Sequence, residues 1–281
     1  MQAPFLADDA FLDDVHVARR DAPNQLHIWW LGQSGFLVDW QGKYLLFDPY
    51  LSDSLTNKYA ATDNPHVRMT GRVVDPACLD FIDVVTSTHN HTDHLDAETL
   101  KPLLAANPTI ALIAPEANRA FVAERLGVEP ARVTGLDDGI TETVDGFRIT
   151  GVPAAHEALE RDDLGRCKFL GYIVEAGPWT IYHSGDTIFY PGMPERLRQW
   201  PVDVALLPIN GRSPERKVAG NLSGPDAAKL AHDIHAATVI PCHYDMFAFN
   251  TAAPDEFVVS CESLGQPYRV LRNGERWSVG E

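Results

Sequence analysis

The sequence predicts a single α/β domain over residues 1–281, built of mixed sheets covered by helices. Three observations carry that expectation. The chain opens on short apolar runs separated by turn residues, its middle alternates strand-like and helix-like segments, and its second half repeats the alternation. No low-complexity linker, short-period repeat or charge block interrupts the series.

The opening runs are Leu26–Trp30, Gly35–Trp40 and Tyr44–Phe47, with GQSG and the pair Gln41-Gly42 as the turns between them, which predicts a β-meander. Ile82–Ser87 is a further apolar strand. AETLKPLLAA then has helical spacing, TIALIAP reads as a strand, and ANRAFVAERLG reads as a helix stopped by Gly127. Downstream, strands are expected near Phe147–Val152, Phe169–Glu175, Trp179–His183, Val202–Leu207 and Thr238–Pro241, with helices after Asp226 and Pro254. Two last strands are expected at Tyr268–Leu271 and Trp277–Val279.

Composition narrows the function. Lys plus Arg number 23 against 39 Asp plus Glu, a formal charge of −16 that repels phosphate backbones and anionic lipid, so neither nucleic acid nor a membrane is expected as a partner. Cys78, Cys167, Cys242 and Cys261 form no CxxC pair, as suits reduced core thiols in a cytoplasm. The N-terminal MQAPFLADDAFLDDVH is acidic where a secretory signal is basic, and no stretch approaches the roughly 18 apolar residues of a membrane span. These features predict a soluble, cytoplasmic protein acting on a small molecule, with homo-oligomerisation left open.

Ser87-Thr88-His89-Asn90-His91-Thr92-Asp93-His94 is the segment richest in chemistry, because it gathers three imidazoles and a carboxylate directly after an apolar strand. Alternate residues of an extended segment point the same way, so His89 and His91 can reach one metal, while a turn at Thr92 would aim Asp93 and His94 at a second. Nitrogen and oxygen donors without Cys suit zinc, manganese or iron. Further donors stand at the ends of other apolar runs: His156 closes FRITGVPAAH, Asp186 follows WTIYHSG, and His243 closes ATVIPCH.

The pattern HxHxDH followed by single His, Asp and His positions resembles the metallo-β-lactamase superfamily across nearly the whole chain. IWWLGQSGF, VVTSTHNHTDHLD, IYHSGDT, VDVALLPING and ATVIPCHYD resemble the branch containing L-ascorbate-6-phosphate lactonase. HNHTDHLD also resembles the N-acylphosphatidylethanolamine-hydrolysing phospholipase D. The resemblance implies an αβ/βα four-layer sandwich with two divalent metal ions at one edge: His89, His91 and His156 on one, Asp93, His94 and His243 on the other, Asp186 bridging. It further implies a hydroxide between the ions as nucleophile, with Asp93 assisting proton transfer, and so a hydrolase for a small ester or lactone, possibly phosphorylated. The chain is shorter than the lactonase pattern and has His156 where that pattern has an acidic residue.

Other residues have two readings each. Asp48 either supports the His-rich loop from behind, as the resemblance implies, or makes an Asx turn before Pro49. His183 either touches substrate or satisfies a buried strand end. Arg212, Arg216 and Lys217 form a basic cluster that either holds a substrate anion or is a solvated loop, and Lys58, Arg68 and Arg72 share that ambiguity. His16, His27, His66, His232 and His235 read as surface or packing residues. Among competing functions, phosphodiester cleavage would use the same ions. RNA cleavage is opposed by the charge and by the short interval from Asp186 to His243, which leaves no room for an added domain. A mononuclear non-haem iron oxygenase would need only two His and a carboxylate, and a metal-free scaffold would bury these groups at high cost.

Overall fold

The computed structural model describes residues 1–213 and 220–279. In the first sheet β1 (Leu26–Gly32), β2 (Gly35–Trp40) and β3 (Lys43–Phe47) form the expected antiparallel meander. From β3 the sheet continues in parallel through β4 (Val84–Thr86), β5 (Ala111–Pro115) and β6 (Val133–Leu136). The second sheet runs antiparallel through β7 (Thr141–Val144), β8 (Phe147–Pro153), β9 (Leu170–Ala176) and β10 (Trp179–His183), then parallel through β11 (Val204–Pro208) and β12 (Thr238–Cys242). The last strand, β13 (Arg276–Val279), returns to pair with β1, so the first sheet has seven strands and the second six.

Helices complete four layers, the αβ/βα order implied by the resemblance. Alternate residues of the meander divide between two cores, as period-two side chains must. Trp29, Leu31, Leu37 and Leu46 pack with Phe11 and Val15 of α1 (Asp8–Asp21), Leu100 and Leu103 of α3 (Ala97–Ala106), and Val122 and Leu126 of α4 (Arg119–Leu126). Ile28, Trp30, Phe36, Val38, Leu45 and Phe47 belong to the core between the sheets, shared with Ile149, Ile173 and Ile181. That core runs on to α5 (Met193–Leu197), α6 (Gly224–Asp233) and α7 (Asp255–Leu264), through residues such as Leu197, Leu230 and Phe257. Each such side chain fully buried contributes about 1.5–3 kcal/mol.

Direction matters most for the site. Within the first sheet β1, β3 and β4 run the same way, and within the second β8, β10, β11 and β12 do. Their carboxyl ends meet along one edge, which is where α/β sheets present ligand-binding loops.

Departures from the expected elements have local causes. Tyr268–Leu271 is not a strand: Tyr268 alone bridges to Val239 beside β12, and the segment then leaves the sheet. Four elements start two residues later than expected, β4 at Val84, β5 at Ala111, α4 at Arg119 and β11 at Val204, and α6 begins at Gly224, earlier than expected, under a Ser223–Asp226 capping box. α1, α5, β6, β7 and the short α2 (Ser54–Tyr59) are additional. α1 buries only Phe11, Val15 and Ala18 in a charged segment, and its Asp8, Asp9 and Arg19, Arg20 complement the helix dipole at its two ends. Cys78 is exposed, unlike the buried Cys167, Cys242 and Cys261.

Gly171 in β9 is required by close packing: a Cβ there would lie 2.9 Å from the His183 carbonyl oxygen and 3.0 Å from that of Ser184. Gly171→Ala is therefore expected to destabilise the fold by about 1–3 kcal/mol, lowering Tm by several degrees, because β10 must shift. An unchanged Tm in a thermal melt would show that β10 yields freely.

Candidate metal centre

The His-rich segment leaves the end of β4 and is fixed from three directions. Asp48, at the end of β3, accepts hydrogen bonds from the Thr88 backbone N–H at 3.1 Å, the Thr86 hydroxyl at 3.3 Å and the Thr88 hydroxyl. Its Oδ2 also lies 2.7 Å from His94 Nδ1. The Asx-turn reading of Asp48 is thus replaced by the supporting one. Tyr172 reaches across from β9 to donate to the Ser87 carbonyl oxygen at 2.8 Å, and Arg125 of α4 donates to those of Asn90 at 2.8 Å and Leu95 at 3.2 Å. The expected turn forms, with the His94 and Leu95 N–H groups both bonded to the His91 carbonyl oxygen.

The second sheet supplies His156 after β8, Asp186 after β10 and His243 after β12. Gly185 lets the β10 loop approach, since at φ +59° a Cβ would fall 2.7 Å from Thr88. The seven residues converge as three overlapping groups whose ligand atoms lie within 4.8 Å of one another: His89, His91 and His156; His89, His94 and Asp186; and Asp93, His94 and His243. Asp186 is central. Its Oδ1 is 3.3 Å from His94 Nε2, and its Oδ2 is 3.5 Å from His243 Nε2 and 3.9 Å from His156 Nε2.

The donor set fits metal ions on two observations. First, His89 Nε2, His94 Nε2 and Asp186 Oδ1 are buried without a hydrogen-bond partner, although such atoms are normally satisfied. Their imidazoles are held by the other nitrogen: His89 Nδ1 by the Thr88 hydroxyl at 3.1 Å, His94 by Asp48, and likewise His156 Nδ1 by the Gly220 carbonyl oxygen at 2.9 Å. That arrangement orients Nε2 as a metal ligand requires. Second, the clustered donors are imidazole nitrogens and carboxylate oxygens, the set that divalent ions take, and they share one electrostatic field. Burial alone would push the Asp186 and Asp93 carboxyls up, but His94 and His243 outweigh it and hold both well below the usual carboxylate range. Burial likewise opposes charge on His94 and His243, yet the carboxylates, Asp186 foremost, raise His94 well above its ordinary value and His243 to about 9. His89, desolvated and beside His94, is held well below.

A cleft of about 590 Å³ opens onto the cluster, and it redistributes the remaining candidates. His66, read from sequence as a packing residue, lines it, with its ring 4.2 Å from Tyr59 and edge-on to Phe247 and Phe249. Lys58 and Arg125 line it too, but Arg212 does not: its guanidinium is ion-paired with Glu157 at 2.8 Å. Arg216 and Lys217 lie outside the described residues. Arg68 is buried and bonds the Ser52 and Thr70 carbonyl oxygens, and Arg72 pairs with Asp75 at the surface. His183 satisfies a buried strand end, with Nε2 2.9 Å from the Ser34 carbonyl oxygen and its ring stacked on Phe47. Gln33 and a chain of three asparagines, Asn221 to Asn210 to Asn250, belong to the site without a sequence signal beyond their position at strand ends and turns.

Residues 27–243 match the family model described as "Beta-lactamase superfamily domain". The chain is 31% identical over 250 residues to a UPF0173 metal-dependent hydrolase of Methanopyrus kandleri, covering 88% of this chain and 96% of that protein. To a UPF0173 metal-dependent hydrolase of Pyrococcus abyssi it is 32% identical over 231 residues, with coverage of 81% and 88%. In structure it is similar to Igni18, a metallo hydrolase of Ignicoccus hospitalis, with TM-score 0.67, 22% identity and coverage of 92% and 99%, a likeness of fold. No helix among the described residues is long and apolar enough to cross a membrane.

Two outcomes are expected. Asp48→Ala leaves Thr88 and His94 without their shared acceptor, and chelator competition is expected to show metal affinity lower by about 10–100-fold. Because a ligand imidazole must be neutral and His243 holds its proton up to about pH 9 in the ion-free chain, metal uptake releases that proton. Apparent affinity should then rise with pH up to about 9, by as much as tenfold per unit for each proton displaced. Calorimetric titrations giving a flat profile from pH 7 to 9 would contradict this.

Proposed function

The chain belongs to the beta-lactamase superfamily and, within it, to the UPF0173 metal-dependent hydrolases, and from that premise we propose a dinuclear enzyme that hydrolyses a small, uncharged ester or lactone. The observation that carries the dinuclear reading is the Asp186 carboxylate, whose Oδ2 stands between two imidazoles of different ligand groups, 3.5 Å from His243 Nε2 and 3.9 Å from His156 Nε2. In this reading His89, His91 and His156 hold one ion, Asp93, His94 and His243 the other, and Asp186 both. Two divalent cations bound there supply Lewis acidity and make water a nucleophile at neutral pH.

The protein's own residues do the rest. Asp93 is less buried than Asp186 and borders the cleft, so its carboxylate is positioned to accept a proton from the attacking water and return it to the leaving oxygen. Tyr59, His66, Phe247 and Phe249 offer an apolar wall to the part of the substrate that does not react. The asparagine chain, with Asn221 donating to Asn210 at 3.0 Å and Asn210 to Asn250 at 2.9 Å, offers fixed polar groups to orient it. An uncharged substrate is favoured because Arg212 already pairs with Glu157, and Asp63 stands with Lys58 and Arg125 among the cleft residues. The resemblance of IWWLGQSGF and ATVIPCHYD to the ascorbate-6-phosphate lactonase branch supports carbonyl chemistry over phosphorus chemistry.

The test pairs metal content with a substrate panel. Metal-replete protein is expected to carry close to two ions of zinc, manganese or iron and to hydrolyse neutral lactones and esters faster than phosphorylated counterparts or a bis-aryl phosphodiester. Asp186→Asn should weaken both ions together and reduce kcat by about 100-fold or more. Preference for the phosphodiester, or loss of one ion alone in the variant, would overturn the assignment.

A further inference from the structure

We propose that Gln33 is the positioning residue of the Asp93, His94 and His243 group, a role that rests on the dinuclear reading and deepens it. Gln33 follows β1 in the turn to β2 and is fully buried. It sits at φ +50°, a left-handed conformation that a residue with a Cβ adopts at a cost, so something other than backbone preference favours a side chain here. That side chain meets two ligand atoms. Its Nε2 lies 2.7 Å from Asp93 Oδ2 and 3.0 Å from His243 Nε2.

The orientation of the amide is fixed by chemistry. A carboxylate oxygen only accepts, so the NH₂ end must face Asp93, and a bond from a neutral donor to an ionised acceptor is a strong one. The amide nitrogen has no lone pair suited to a cation, so the atom that touches Asp93 positions that carboxylate and does not itself ligate. The main chain repeats the grip: the Gln33 carbonyl oxygen accepts from the His243 N–H at 2.9 Å and from Trp30 Nε1 at 3.0 Å. One residue of the first sheet therefore holds Asp93 by its side chain and His243, at the end of β12 in the second sheet, by its backbone carbonyl oxygen. Asp93 Oδ2 and His243 Nε2 stand 3.6 Å apart with the amide nitrogen contacting both. Removing the amide frees Asp93, a donor of one group, and none of His89, His91 or His156, so its effect should divide the ions.

The experiment titrates ion-stripped full-length protein with Zn²⁺ against a chromophoric chelator, comparing wild type with Gln33→Gly and Gln33→Asn. Glycine keeps the left-handed backbone without the amide, and asparagine tolerates that backbone but is one methylene too short. The wild type is expected to take up two ions. In both variants one ion should bind at least about tenfold more weakly and the other within about twofold, while the Tm of the ion-stripped Gln33→Gly protein stays at or above wild type. Equal weakening of both ions, no weakening of either, or a fall in the ion-stripped Tm that accompanies the loss would overturn the positioning role. Fewer than two ions on the wild type would overturn the dinuclear reading itself, and this role with it.

Discussion

The enclosure of two carboxylates, the buried Asp186 and the half-buried Asp93, in the seam between two sheets is the constraint on which the rest of the structure depends. Desolvated anions are tolerated only beside compensating charge. The chain surrounds them with His94 and His243, one from each sheet. Asp186 cannot be compensated unless β10 brings it against the loop from β4, and His94 cannot do the compensating unless Asp48 turns its ring. The edge of the sandwich is for that reason a single cooperative unit.

That unit is assembled at some conformational cost. Gln33, Asp48 and His243, each touching the cluster or its support, all sit at positive φ, as do Gly32 and Gly185 beside them. Left-handed residues with side chains are sparse, and their gathering at one edge shows what the tight turns at the strand ends must do: reverse the chain at once and point a side chain back over the sheet. The extensive core between the sheets, from Trp30 to Phe257, supplies the rigidity that holds them there.

Much of this was legible in the sequence, for physical reasons that can be named. Period-two and apolar patterns in β1, β2, β3 and β10 gave strands whose bounds agree closely with those observed, and HxHxDH after an apolar strand forecast the group that forms. His156, Asp186 and His243 were visible because each ends an apolar run. What was not legible depends on contacts between segments distant in the chain. Gln33 looks like an ordinary turn residue until His243, 210 positions away, is brought to it. His66 is an isolated imidazole until Phe247 and Phe249 surround it, and Arg212 reads as part of an anion site until Glu157 is seen to pair with its guanidinium. Tyr268–Leu271 has the composition of a strand but finds beside β12 room for one bridge.

The apolar wall of the cleft is carried by two excursions of the chain that contain none of the seven candidate ligands. Leu55, Lys58, Tyr59 and His66 belong to the stretch between β3 and β4, and Phe247, Phe249 and Asn250 to the stretch after His243. Arg68 ties the first excursion down through the Ser52 and Thr70 carbonyl oxygens, away from the imidazoles. Recognition and reactivity thus reside on separable lengths of polypeptide. Mutational drift in the excursions can exchange one class of molecule for another while the ion-binding edge stays intact, so descendants of one such chain can diverge in diet without reinventing their chemistry.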